Sequence, residues 1–239
     1  LLIMALMATG CGASGNKAVT EQTNNTEQSA ADSTQQGQPE EESEQITGEE
    51  QTDDESNALV IYFDYFENID TANTDVDAIS SATLREAATD NNTGKLKMMV
   101  DEIAEVMDAD SFSIRVNEPY APVYDDMAGV PKQDIADNKQ FTFMSEPDNL
   151  DEYDTIFFAT PVWWGELPQP VHVFFEQYDF SGKTIIPIGI HRGSGFGKMI
   201  NQMEDYEPDA VFLDGITIRA EDDNSDAKAE LDDFLQSLK

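Results

Sequence analysis

Two tryptophans and a histidine-led glycine loop are the residues of this chain best placed to do chemistry. Thr160-Pro161-Val162-Trp163-Trp164-Gly165 closes one short apolar run, and His191-Arg192-Gly193-Ser194-Gly195-Phe196-Gly197 closes another. An indole at the mouth of a strand is a stacking surface for a flat ligand. Glycines turn freely and leave their backbone N–H groups bare. Together the two segments predict a clamp around a planar cofactor. Cys11 is the only cysteine, which excludes a disulfide within the chain, a cysteine-rich zinc site and an iron–sulfur cluster. The two histidines, His172 and His191, do not stand at the spacing of a metal-binding pair on a helix.

Each of these residues also has a plainer reading. Trp163 and Trp164 could be core, the three glycines could be ordinary turn residues, and Phe196 could pack rather than stack. Arg192 could offset charge on a reduced cofactor or simply be a surface arginine. His191 reads as a residue that positions its loop, not as a base.

The elements that must carry these loops are legible as runs and periods. Leu59-Val60-Ile61-Tyr62-Phe63 predicts a buried first strand. Leu96, Met99, Val100, Ile103 and Met107 recur at helical spacing and predict a helix from about residue 93. Phe112, Ile114 and Val116 alternate as in an edge strand. Strands are expected at 154–160, where Pro161 should end the ladder, at 184–190, and from residue 211. Helices are expected around 170–178, 198–203 and 231–238, and a short one near 133–138. Alternating strands and helices imply a doubly wound parallel sheet covered on both faces, five strands in the order 2-1-3-4-5. Ligands in such sheets bind beyond the carboxyl ends of the strands, where both loops fall.

The 239 residues carry 49 acids against 13 bases, a net charge of −36. Residues 1–10 are apolar and end in small residues before Cys11. Ala8-Thr9-Gly10-Cys11 resembles the end of a bacterial lipoprotein signal, which implies lipid attachment at Cys11 and an anchor in 1–11. Residues 12–57 hold 12 acids, one base and almost no large apolar side chains. They cannot bury enough surface to offset chain entropy and are expected to form a disordered acidic tether. Residues 58–239 hold 37 acids and 12 bases, a net −25, and form the domain. Such a charge repels nucleic acid and favours partners with a basic docking surface.

The domain resembles flavodoxin-like bacterial lipoproteins. The resemblance is carried by Ile61-Tyr62-Phe63 ahead of Glu67-Asn68, by Val76-Asp77-Ala78-Ile79-Ser80-Ser81-Ala82, by Glu118-Pro119-Tyr120 and by Asp154-Thr155-Ile156-Phe157. It continues through Pro161-Val162-Trp163-Trp164, Tyr178-Asp179-Phe180-Ser181-Gly182-Lys183-Thr184 and Ser194-Gly195-Phe196-Gly197. It implies FMN at the ends of strands one, three and four, and transfer of one or two electrons on the outer face of a membrane. The residues it marks for the cofactor are Glu67, Asn68, Ser80, Ser81, Thr83, Thr160, Pro161, Val162, Trp163, Trp164, Arg192, Gly193, Ser194, Gly195 and Phe196. The sequence departs from the family at Asp64, which stands where a phosphate-binding hydroxyl is expected. A carboxylate beside a phosphate is unfavourable. Asp77-Ala78-Ile79-Ser80-Ser81-Ala82-Thr83 is also similar to the acceptor motif of proteins that carry FMN as a threonyl phosphodiester. Thr83 as a non-covalent phosphate contact is the preferred reading, with covalent attachment the alternative. Two other functions compete with the electron carrier. One is an NAD(P)H-dependent quinone-type reductase; the other is a surface binding module without flavin, which Asp64 favours.

Overall fold

A computed structural model of the chain describes residues 57–70, 94–122 and 129–239. They fall in the unit spanning Thr52–Lys239. Cys11, the 1–11 anchor, the 12–56 part of the tether, and Ser80, Ser81 and Thr83 lie outside the described residues.

The strands are β1 (Ala58–Tyr62), β2 (Asp110–Ser113), β3 (Thr155–Pro161), β4 (Thr184–His191), β5 (Val211–Phe212) and β6 (Ile216–Arg219). The helices are α1 (Lys95–Met107), α2 (Val130–Ala136), α3 (Gln169–Gln177), α4 (Met199–Tyr206) and α5 (Asn224–Ser237). All described pairings between strands are parallel, in the order β2-β1-β3-β4-β5, with β6 also on β4. The expected doubly wound 2-1-3-4-5 sheet is therefore present. β1, β3 and β4 are buried along almost their whole length, as befits strands covered on both faces. α1 buries Leu96, Met99, Val100 and Ile103, one stripe at i, i+3, i+4 and i+7, and packs with α5. α2, α3 and α4 form the other helix group.

Two prolines shape the strand ends, and one behaves differently from expectation. Pro161 does not end the ladder before itself; it is the last residue of β3, opposite Ile190. In a parallel strand the N–H and C=O of one residue point to the same side, and successive residues alternate. Ala159 O accepts from Phe63 N–H at 3.0 Å, whereas Val162 N–H donates to Ile190 O at 2.8 Å. Pro161 therefore turns its missing N–H towards β1, which has already ended, and the ladder to β4 continues past it.

Pro187 is inside β4. By the same parity it faces the fifth position of the sheet, since Ile185 O accepts from Leu213 N–H at 3.0 Å on that side. The fifth position is broken there. β5 pairs with Thr184 and Ile185, β6 with residues from Ile188 to His191, and the chain steps out between them. At Gly215 a Cβ would lie 2.0 Å from Pro187 O, so only glycine permits the backbone to pass. The single fifth strand of the sequence reading is thus two short strands, divided where Pro187 offers no donor.

The expected edge strand is shorter than its alternation. β2 ends at Ser113, and Ile114 N–H makes the last bond, to Tyr62 O at 2.7 Å. Ile114 and Val116 stay buried, but Val116 N–H goes to the Asn68 side chain instead of a strand.

Candidate functional site at the strand ends

The first loop presents one indole and buries the other. Trp163 N–H donates to Glu166 O and Glu166 N–H to Trp163 O, both at 3.0 Å. The two residues between them, Trp164 and Gly165, have φ of 56° and 80°. That is the pattern of a type I′ hairpin turn. Trp163 points inward and is 3% exposed, edge-on to Phe63, Tyr65 and Tyr120 with centroids at 5.6, 6.2 and 5.4 Å. Trp164 points outward and is 64% exposed. The Lys132 ammonium, from α2, stands 5.6 Å from its ring centroid. A bulky residue in the left-handed region costs roughly 1–2 kcal/mol relative to ordinary backbone.

The second loop is fastened to the first and to itself. Lys198 N–H donates to Gly165 O at 2.7 Å, and the Lys198 ammonium pairs with Glu166. A Cβ at Gly197, where φ is +56°, would lie 2.3 Å from Gly165 O, so glycine is required where the loops touch. Within the loop, His191 Nδ1 accepts from Gly193 N–H at 2.8 Å and from Gly195 N–H at 3.1 Å. Gly197 N–H donates to Ser194 O at 3.2 Å. The three glycine N–H groups expected to face a ligand are therefore engaged inside the loop. Ser194 Oγ donates to Gly195 O at 3.1 Å. Arg192 pairs with Glu221 at 2.6 Å, and that contact holds the Glu221 carboxyl below its usual range. Phe196 packs downwards: Cβ atoms built at Gly189 and Gly215 would come within 3.6 and 3.1 Å of its ring. Of its two readings, packing is the one observed.

At the end of β1 the residues face inward. Asn68 is buried; its amide donates to Asp64 O at 2.8 Å and Ile114 O at 3.0 Å, and its Oδ1 accepts from Val116 N–H at 2.8 Å. Glu67 accepts from Tyr62 OH at 3.1 Å, from Arg115 Nε at 3.3 Å and from the Ser113 hydroxyl. Both residues, expected to meet a ligand, instead tie the β1 loop to β2 and the segment after it.

Asp64 is 1% exposed, and its Oδ1 accepts from Phe66 N–H at 3.2 Å. Burial, helped by the nearby Glu67 carboxylate, pushes its carboxyl up to about 7 against the lowering effect of the Phe66 N–H. The fixed repulsive charge anticipated from sequence is thus half neutralised near pH 7. Asp64 also lies against the start of α1, where a Cβ at Gly94 would fall 3.4 Å from its Oδ2 and 2.7 Å from the Phe66 ring.

Thr160, Pro161 and Val162 form the floor between the loops. Thr160 is fully buried, with its hydroxyl 3.3 Å from Pro161 O, and Val162 packs within 3.3 Å of a Cβ position at Gly189. The structure thus brings residues 160–164 and 192–196 to one end of the sheet. It leaves Trp164 as the large open face among the described residues there. A cavity of about 450 Å³, lined by Leu59, Asp110, Phe112 and Tyr153 among others, lies at the opposite, amino ends of the strands.

Comparison with known proteins agrees with this architecture. The model of the family described as Flavodoxin matches residues 87–236. No curated protein matches the chain. Crystal structures of candidate flavoproteins from Bacteroides eggerthii DSM 20697 and Bacteroides uniformis ATCC 8492 are similar, each at 22% identity and a TM-score of 0.53. They cover 74% of this chain and 96% and 98% of their own. A flavoprotein in complex with FMN from Lactobacillus acidophilus NCFM is more distant, at 14% identity and a TM-score of 0.47, covering 73% and 97%.

Proposed function

This chain belongs to the flavodoxin family, and on that premise we propose that it binds FMN beyond the carboxyl ends of β1, β3 and β4 and serves as an electron carrier. The single observation that carries the reading is Trp164. A tryptophan held 64% exposed in left-handed backbone, at the ligand end of a parallel sheet, is strained and largely open to solvent, with the Lys132 ammonium over its ring. Such outliers persist where they serve a function. Its free face suits an isoalloxazine ring.

The ring end of the site fits FMN. At the phosphate end Asp64 is the difficulty, and burial reduces it: a carboxyl titrating at about 7 is about half protonated at neutral pH. That also weakens the case for a module without flavin. Phosphate donors in this reading are Ser80, Ser81 and Thr83. FMN when bound accepts and returns one or two electrons, and the protein contributes binding and electrostatics. The indole face and the net −25 of residues 58–239 both disfavour negative charge on the cofactor, which makes it a stronger reductant than free FMN.

Trp164→Gly separates this role from stability. Glycine suits both central positions of a type I′ turn, so the urea midpoint should hold or rise. FMN affinity should fall about tenfold, as expected for losing an aromatic contact of roughly 0.5–1.5 kcal/mol. Unchanged affinity would move the ring away from this loop.

The reading includes a location on the extracytoplasmic face of a bacterial membrane through a lipid on Cys11, with 12–57 as tether. Its support is Ala8-Thr9-Gly10-Cys11 and the polar composition after it. Two acyl chains are enough for stable anchoring. Intact mass of the membrane-extracted protein checks this: a diacylglyceryl gain is expected, lost with Cys11→Ser. The same spectrum decides the mode of FMN attachment. No FMN mass after denaturation is expected, and a gain of FMN less water, lost with Thr83→Ala, would establish the phosphodiester instead.

A further inference from the structure

His191 is the last residue of β4, and its backbone is fixed independently of its side chain. Its carbonyl accepts Ala220 N–H at 2.8 Å, beyond the end of β6. Its ring then reaches over the loop that follows. One nitrogen, Nδ1, receives both Gly193 N–H and Gly195 N–H. These two residues have φ of 110° and 57°, conformations that glycine adopts without steric cost and also leaves readily. Between them Ser194 is exposed, and among the described residues its hydroxyl bonds to Gly195 O. Further ties of the loop include the Arg192–Glu221 pair on one side, the Gly197 N–H bond to Ser194 O, and the Lys198 N–H bond to Gly165 O on the other side.

An imidazole nitrogen that accepts must be unprotonated; imidazolium donates from both nitrogens. We propose that His191 is a positioning residue for the ligand, whose neutral Nδ1 holds the 193–195 loop at the strand ends and whose protonation releases it. The proposal rests on the FMN reading in one respect: the loop it holds is taken to border the flavin. Mild acidification should then loosen the loop and weaken FMN binding.

The surroundings of the ring, burial first, favour its neutral form. Burial lowers the His191 pKa first, and Arg219 of β6 lowers it further, while Glu221 and Asp222 pull it up. Arg192, on the loop itself, is paired with Glu221. With the folded value below the ordinary 6.5, the neutral ring is stabilising above that pH. The contribution is lost as pH falls from 6.5 through the folded value.

The test is amide exchange of Gly193 and Gly195 in the full chain without flavin, expressed as protection factors at pH 8 and pH 5. Protection should fall about tenfold on acidification, as for one lost hydrogen bond. In His191→Asn the side-chain oxygen sits where Nδ1 was and does not titrate, so protection should persist at pH 5. In His191→Gln the acceptor is displaced, and both amides should exchange freely at either pH. Wild-type protection that is constant between the two pH values, or retained in His191→Gln, overturns the holding role. FMN titration of the same proteins is the second arm. Affinity should drop at pH 5 in the wild type and not in His191→Asn. Amides that respond while FMN affinity does not would remove the link to the ligand. Failure of every protein to bind FMN would sink the FMN reading, leaving the amide result to decide the holding role.

Discussion

Replacing Asp64 with Asn should change how the stability of the domain depends on pH. The wild-type carboxyl is 1% exposed and titrates at about 7, against an ordinary value of 3.8. Between those values the folded protein retains a proton that the unfolded chain has released. Stability therefore falls as pH rises through that window, by about 1.4 kcal/mol per pH unit for one group. From pH 5 to pH 8 this is a loss of roughly 3 kcal/mol that Asp64→Asn should not show. Asn keeps an oxygen for the Phe66 N–H. Any cost of placing its amide is constant with pH, so the slope and not the absolute value is the readout. Urea unfolding of both proteins at the two pH values measures it. A difference between them that is the same at pH 5 and pH 8 would mean that Asp64 is ionised in the folded state.

Trp163→Ala should destabilise the domain by about 3–5 kcal/mol, the usual range for a buried tryptophan cut back to a methyl group. Its ring is edge-on to Phe63, Tyr65 and Tyr120, and no neighbour can fill the space of an indole. For a domain with a typical total of 5–15 kcal/mol this is a large fraction, and the urea midpoint should drop accordingly. The contrast with Trp164→Gly is the informative part. Adjacent tryptophans should give opposite signatures, one in stability and one in FMN affinity. Similar losses of stability in both would contradict the division of labour that the turn imposes.

That division explains what was and was not legible in the residues. The strand order came from five strands alternating with helices, and the buried strands themselves showed in their continuous apolar runs. The helix stripe at Leu96, Met99, Val100 and Ile103 did too. The tryptophans were recognisable as a pair, but their assignment depended on the reciprocal Trp163–Glu166 bonds that set Trp164 and Gly165 in left-handed backbone. Pro187 was visible within an expected strand, and a proline there signals a missing donor. Which neighbour loses that donor depends on register, which composition does not encode. His191 reads from sequence as a loop-positioning residue. The two-fold acceptance at Nδ1, which takes the Gly193 and Gly195 N–H groups out of play, arises from the loop's path and not from residue type. Asn68 and Glu67 are marked for the ligand by the family resemblance alone. Beside the near partners Asp64 and Tyr62, they bond to Ile114, Val116, Ser113 and Arg115, which are more than forty residues away and beyond local reasoning.

The most direct test of the account is titration of the flavin-free full-length protein with FMN, followed by flavin absorbance and fluorescence. Saturable binding of one FMN per chain is predicted, with the flavin emission quenched by the adjacent indole and that quenching reduced in Trp164→Gly. An absorbance and fluorescence spectrum identical to free FMN, at every protein concentration at which the domain is folded, would contradict it.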